Sequence, residues 1–199
     1  MKLFCFSIII LIFTSCISSD SKKTSLLENN ISIQKRDSFF PVTSFLKGQI
    51  AQLNSLALTP LHTITVNGKT DSLWIKREQL GILLVSFLNP AINETNLIEY
   101  FKETSFNDLT LNTITLTYDP IKTLPDSIRL THWDVYINPE TGKIQKIYMV
   151  KKFKSKDAFV TEQLTWQTDR SATITTLINK AGIKTELLKV DKFIWNFSE

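Results

Sequence analysis

The residues best placed to do chemistry are the two histidines, His62 and His132, and the second has a carboxylate within reach. In His132-Trp133-Asp134 the imidazole and the carboxylate share one side of an extended strand, about 7 Å apart along it. Two groups so placed are either a pair of metal ligands or a general base with its orienting acid, and a hydrolase using His132 and Asp134 is the catalytic reading. Zinc wants three or four ligands, and the only cysteines, Cys5 and Cys16, lie at the N-terminus. No metal and no cofactor is expected, and a sheet histidine satisfied by hydrogen bonds is the favoured alternative. Nothing singles out a nucleophile. Gly48, Gly68, Gly81, Gly142 and Gly182 form neither a nucleophile elbow nor a phosphate-cradling loop. Glu94, Glu99 and Glu103 fall on an expected short helix facing water, and Asp126, Asp134 and Glu140 fall near turns. The sequence leans away from an enzyme.

The elements that must position these groups divide into helices first and strands after. Val42, Phe45, Leu46, Ile50 and Leu53 recur at helical spacing, so a helix is expected from Val42 to Asn54, with Pro41 in its first turn. Leu61 to Val66 and Lys69 to Ile75 flank Asn67-Gly68, a strong hairpin signal. A second helix is expected from Lys76 to Leu88, stopped by Asn89-Pro90. A short third one, capped by Asn93, would carry Leu97, Ile98 and Phe101.

Beyond residue 110 the pattern becomes strands joined by turns. Thr113–Tyr118, Ser127–Ile137, Lys143–Lys152, Phe159–Gln167, Ala172–Asn179 and Gly182–Phe197 are the expected strands. Asn138-Pro139-Glu140-Thr141-Gly142 is a turn with glycine where positive φ is needed. Short connections imply an antiparallel meander. Val160, Leu164 and Trp166 share one side of their strand, as do Phe193, Trp195 and Phe197 of theirs, giving the sheet an apolar face. The expected fold is α+β, with the N-terminal helices packed on one face of an antiparallel β-meander sheet.

Composition narrows the partners. The chain has 199 residues, 43% hydrophobic and 21% charged, with a formal charge of +4, which fits one globular domain. No basic stripe of the kind that reads nucleic acid is present. The densest basic cluster is Lys151, Lys152, Lys154 and Lys156, relieved by Asp157 and read as a solvated strand end or turn rather than an anionic-surface contact.

At the N-terminus, Lys2 precedes an almost wholly apolar stretch, Leu3 to Phe13, that would cover only about half of a 30 Å hydrocarbon core. A removable signal segment over 1–15 is the better reading. The stretch ends in Phe13-Thr14-Ser15-Cys16, which resembles the lipobox of bacterial lipoproteins, departing from it at Phe13 where leucine is usual. That resemblance implies cleavage before Cys16, lipidation of its sulfur and acylation of the new amine, and two or more acyl chains anchor durably. Residues 16–37 then read as the lipidated cysteine and a flexible tether, and 38–199 as the single domain. Beyond Cys16 the chain has no cysteine, so that domain has no disulfide. Val135 to Val150 (VYINPETGKIQKIYMV) resembles the terminal hairpin of PepSY-type lipoprotein domains, which implies a strand, a turn and a strand, and no function.

The expected function is a non-enzymatic, lipid-anchored module of the bacterial cell envelope, on the outer membrane by preference, that binds another molecule or supports assembly. Its partners would be the membrane, through the lipid on Cys16, and an envelope protein or small molecule of unspecified chemistry. A carrier of an apolar ligand, held between sheet and helices, is the alternative, with the hydrolase behind it.

Overall fold

The computed structural model describes residues 38–155, 158–180 and 184–197. Residues 1–37, where the signal segment, the lipidated Cys16 and the tether are expected, lie outside the described residues. The described chain belongs to one compact unit. Its framework is one nine-stranded, wholly antiparallel sheet with few helices: β1 Leu61–Val66, β2 Lys69–Trp74, β3 Phe101–Asp108, β4 Thr113–Pro120, β5 Leu130–Ile137, β6 Ile144–Ser155, β7 Ala158–Gln167, β8 Ser171–Lys180 and β9 Glu186–Ile194.

The spatial order is β2-β1-β9-β8-β7-β6-β5-β4-β3, so β3 to β9 form a meander and the early hairpin is added beside the last strand. Leu61 to Thr65 pair with Ile194 to Val190, which joins the two ends of the described chain in one ladder. In the β1–β2 turn, Asn67 and Gly68 both take positive φ, 49° and 74°, as a two-residue hairpin of right-handed twist requires. Gly142, at φ 67°, does the same for the turn between β5 and β6.

Helix α1 spans Val42–Ser55, and its buried stripe is Val42, Leu46, Ile50 and Leu53. Those side chains share one buried cluster with Trp133, Val135, Ile147, Met149, Leu164 and Trp166 of the sheet. Register explains the sheet's part: Trp133, Met149, Leu164 and Ile174 lie opposite one another across four strands, and Ile147, Trp166, Ala172 and Phe193 form the adjoining row. The small Ala172 sits between the two aromatic rings, alternating large and small as close packing demands. Around Trp133 gather Tyr118, stacked at 4.5 Å, and Phe101 and Phe39, edge-on at 4.7 and 5.9 Å.

Three expectations are corrected. The helix expected over Lys76–Leu88 is broken into a 3-10 turn, Arg77–Gln79, one α turn, α2 Leu80–Leu83, and a second 3-10 turn, Val85–Leu88. Only Leu80, Leu84 and Phe87 are buried there, while Ile82 is 77% exposed, so a continuous helix would gain little apolar burial. The short helix after Asn93 is a set of turns, held by Asn96, which accepts from the Asn93 N–H and donates to the Ala91 carbonyl. Phe101 instead opens β3, a strand absent from the sequence reading. Finally, Trp195 lies just past β9 and is buried, but Phe197 is exposed and meets Trp74 at 5.9 Å instead of the core.

Candidate functional site

Two groups of polar side chains stand apart from the ordinary surface, one on each face of the sheet. The first is built on His132. A register shift between Leu130 and His132 inserts one residue into β5, so that Leu130, Trp133 and Val135 all reach the core while His132, Asp134 and Tyr136 face the other way. His132 then lies between two carboxylates: Nδ1 is 2.8 Å from Asp119 Oδ1 and Nε2 is 3.1 Å from Asp134 Oδ2. Tyr136 donates its hydroxyl to the same Asp134 oxygen at 3.2 Å, and Thr117 donates to the other at 2.7 Å.

The electrostatics follow from these contacts. Partial burial opposes the charged imidazole, but the hydrogen bonds and charges of Asp119 and Asp134 outweigh it and raise the His132 pKa. Burial, joined by the charge and hydrogen bond of Asp134, pushes Tyr136 up to about 12. Tyr148 is also raised, by burial and then by Asp134. The structure thus brings together the pair named from sequence and adds Asp119, Thr117, Tyr136 and Tyr148. Asp119 falls one residue past the expected strand Thr113–Tyr118, and its approach to His132 depends on the β4–β5 register, which sets Thr117 opposite Asp134.

Chemically the cluster is a histidine held between two carboxylates. Both ring nitrogens of His132 are within hydrogen-bond distance of a carboxylate, and Tyr136 donates to Asp134 and holds its own proton far above neutrality. The two carboxylates bond opposite nitrogens of the ring and do not converge on one point. Among the described residues no group of three histidine, cysteine or acidic side chains is arranged to hold a metal. His62 is placed elsewhere, buried on the core face of β1, stacked on Phe193 at 4.2 Å with Nε2 3.0 Å from Asp191 Oδ1. Lys189 reaches the same oxygen at 2.9 Å.

The second group was missed as a site and corrects the reading of the lysine cluster. Lys151 is not solvated: it is only 4% exposed, on the core face opposite Leu130 and Glu162. Its ammonium donates to the backbone carbonyls of Ser86 and Asn89. In a continued helix the Ser86 carbonyl would accept from residue 90, but Pro90 has no N–H, so the carbonyl is left for the lysine. Burial brings the Lys151 pKa down to about 8, with the Glu162 charge opposing and Arg129 assisting. The signal was in the alternation: Ile147 and Met149 point inward, and Lys151 is next in the same parity.

Lys151 forms one wall of a cleft of about 350 Å³ between the broken helical segment and the sheet, with Val85, Pro90, Arg129, Phe153 and Glu162 around it. The Arg129 guanidinium lies 5.1 Å from the centre of the Phe153 ring. The cleft therefore offers one exposed cation, Arg129, one carboxylate, Glu162, and an apolar wall, with the Lys151 ammonium buried behind them, a mixture that orients a small amphiphilic or anionic molecule. A second crevice of about 310 Å³ runs beside the end of α1, lined by Leu53, Leu56, Leu58 and Trp195. The Trp195 indole N–H, buried there, has no hydrogen-bond partner among the described residues. The core face itself is filled by Trp133, Trp166, Phe87 and Leu46.

Compared with protein-family models, with curated proteins and with solved structures, the chain matches none of them.

Proposed function

We propose that the chain is a lipid-anchored protein of the bacterial cell envelope, held through acyl chains on Cys16 at the outer membrane by preference, whose domain binds a small molecule or partner group without transforming it. The domain is read as α+β, with α1 laid on one face of the sheet and the broken segment after β2 left to form the wall of a binding cleft. The observation that carries the binding role is the cleft over Lys151, where Arg129 and Glu162 flank an apolar wall of Val85, Pro90 and Phe153. In the His132 cluster both ring nitrogens and the Tyr136 hydroxyl are hydrogen-bonded to Asp119 and Asp134, an arrangement that supports a structural polar cluster over a substrate-facing one.

The test is native mass spectrometry of the chain purified from its membranes, run beside R129A and E162Q. A copurified small molecule or partner peptide that both variants lose supports the reading. An empty native chain that hydrolyses a cell-wall or glycan substrate, with the rate abolished in H132A, would sink it.

Carriage of an apolar ligand is the second reading, favoured by the crevice beside Leu53, Leu58 and Trp195. Its volume suits a short acyl chain or a single ring system, and copurified lipid lost in a Leu58→Asp variant would select it over the cleft.

A further inference from the structure

Alternation along β6 divides the lysine run between two faces. Lys151 enters the core, while Lys152 and Lys154 stand exposed on the opposite, outer face, and Lys156 lies outside the described residues. The register extends that outer face sideways. Lys154 pairs with Phe159, whereas Lys152 pairs with Thr161, Thr161 with Leu177 and Leu177 with Leu187. Phe159 is 61% and Leu187 53% exposed. One corner of the outer face thus shows two large apolar side chains beside two ammonium groups. The described carboxylates nearest in register, Glu162 and Glu186, pair with Lys151 and Ile178 on the core side. Elsewhere on the outer face Lys102 pairs with Asp119, Lys146 lies over the Tyr136 ring at 3.7 Å, and Lys192 pairs with Thr63 and Thr173.

An exposed aromatic ring and leucine among lysines is the pattern of interfacial lipid binding, in which apolar groups enter the headgroup boundary and ammonium groups meet phosphate. A soluble polyanion would match the lysines but leave Phe159 and Leu187 in water. We propose that this corner seats the domain on the anionic surface of a lipid bilayer, Lys152 and Lys154 at the headgroup phosphates and Phe159 and Leu187 between them. The proposal rests on the anchor reading for the nearness of a membrane. From Cys16 to Ser38 the chain reaches at most about 75 Å, enough to lay either end of the sheet on the bilayer.

The test uses the whole chain reconstituted on vesicles of phosphatidylcholine alone or of phosphatidylcholine with phosphatidylglycerol, with lysine acetylation read by mass spectrometry. Lys152 and Lys154 should become several-fold less reactive on the anionic vesicles, while the exposed Lys47 of α1 stays unchanged. A polarity-sensitive fluorophore on F159C should shift to the blue on the same vesicles, and K152E/K154E should abolish the shift. A fluorophore on L109C, at the opposite end of the sheet, should stay wet. Equal reactivity on both vesicles, or protection of Lys47 instead, overturns the proposal, and so does protection by inorganic polyphosphate with none by vesicles. The intact mass of the same chain reports acylation of Cys16 separately, so a failed anchor and a failed contact give different results.

Discussion

At the scale of single residues, His132 and Lys151 are charged side chains held by opposite faces of one sheet, and pH acts on them in opposite senses. Asp119 and Asp134 raise the His132 pKa in the folded state. Its contribution to stability is therefore complete below the ordinary imidazole value of 6.5 and is lost as pH rises through the higher folded value. Chemical denaturation of the native chain and H132Q should show the native advantage, about 1–2 kcal/mol at acid pH, shrinking as the ring deprotonates. Lys151 is depressed, from 10.5 to about 8. Its buried charge is a full cost below the folded pKa, and the cost is relieved as pH rises from about 8 to 10.5. Between those values the native chain should gain stability relative to K151M. At neutral pH K151M should still lose about 1–3 kcal/mol, because the carbonyls of Ser86 and Asn89 lose their donor. An unchanged denaturation midpoint in K151M would show that water replaces the lysine.

At the scale of elements, the turn between β1 and β2 is the most demanding piece of backbone. Gly68 holds φ at 74°, and although a methyl group would meet no atom within 4 Å, an L side chain resists that conformation. Gly68→Ala should cost about 1 kcal/mol, read from thermal denaturation, with β1 still paired to β9. Strands with one apolar side, such as β7 with Val160, Leu164 and Trp166, were legible because period two is visible in sequence. Strand β3 was not. Of its residues only Phe101 is buried, and its remaining side chains are polar or exposed, as suits an edge strand that must not attract further strands. The helix over 76–88 was overread for the converse reason. Leu80, Leu84 and Phe87 do repeat helically, but Pro90 and the lysine contacts at Ser86 and Asn89 compete with the helix for its own carbonyls.

At the scale of the whole molecule, stability rests on a core without any disulfide in the described domain. Trp133 touches Phe39, Phe101 and Tyr118, which come from three separate segments. Trp133→Ala should therefore cost about 3–5 kcal/mol and lower the melting temperature of the entire domain in one transition. Cys16→Ala, by contrast, should abolish the proposed acylation, seen in the intact mass, and leave that transition where it is. A coupled loss of fold would contradict the separation of anchor from domain.

What the amino-acid sequence determined by itself is local: the helix α1, the alternating strands, and the turns at Asn67-Gly68 and around Gly142. Each of these depends on side chains within a few residues, where periodicity and backbone preference act directly. Tertiary structure alone decided the rest. Whether the early hairpin lies apart or pairs with β9, whether Asp119 reaches His132, and whether Lys151 meets water or two carbonyls all depend on register between strands far apart in the chain. A shift of one residue in that register would exchange the two faces, placing Lys152 in the core and Lys151 beside Phe159. The apolar rows through Trp133 and Trp166 forbid the shift, and by fixing those faces they also fix the cleft.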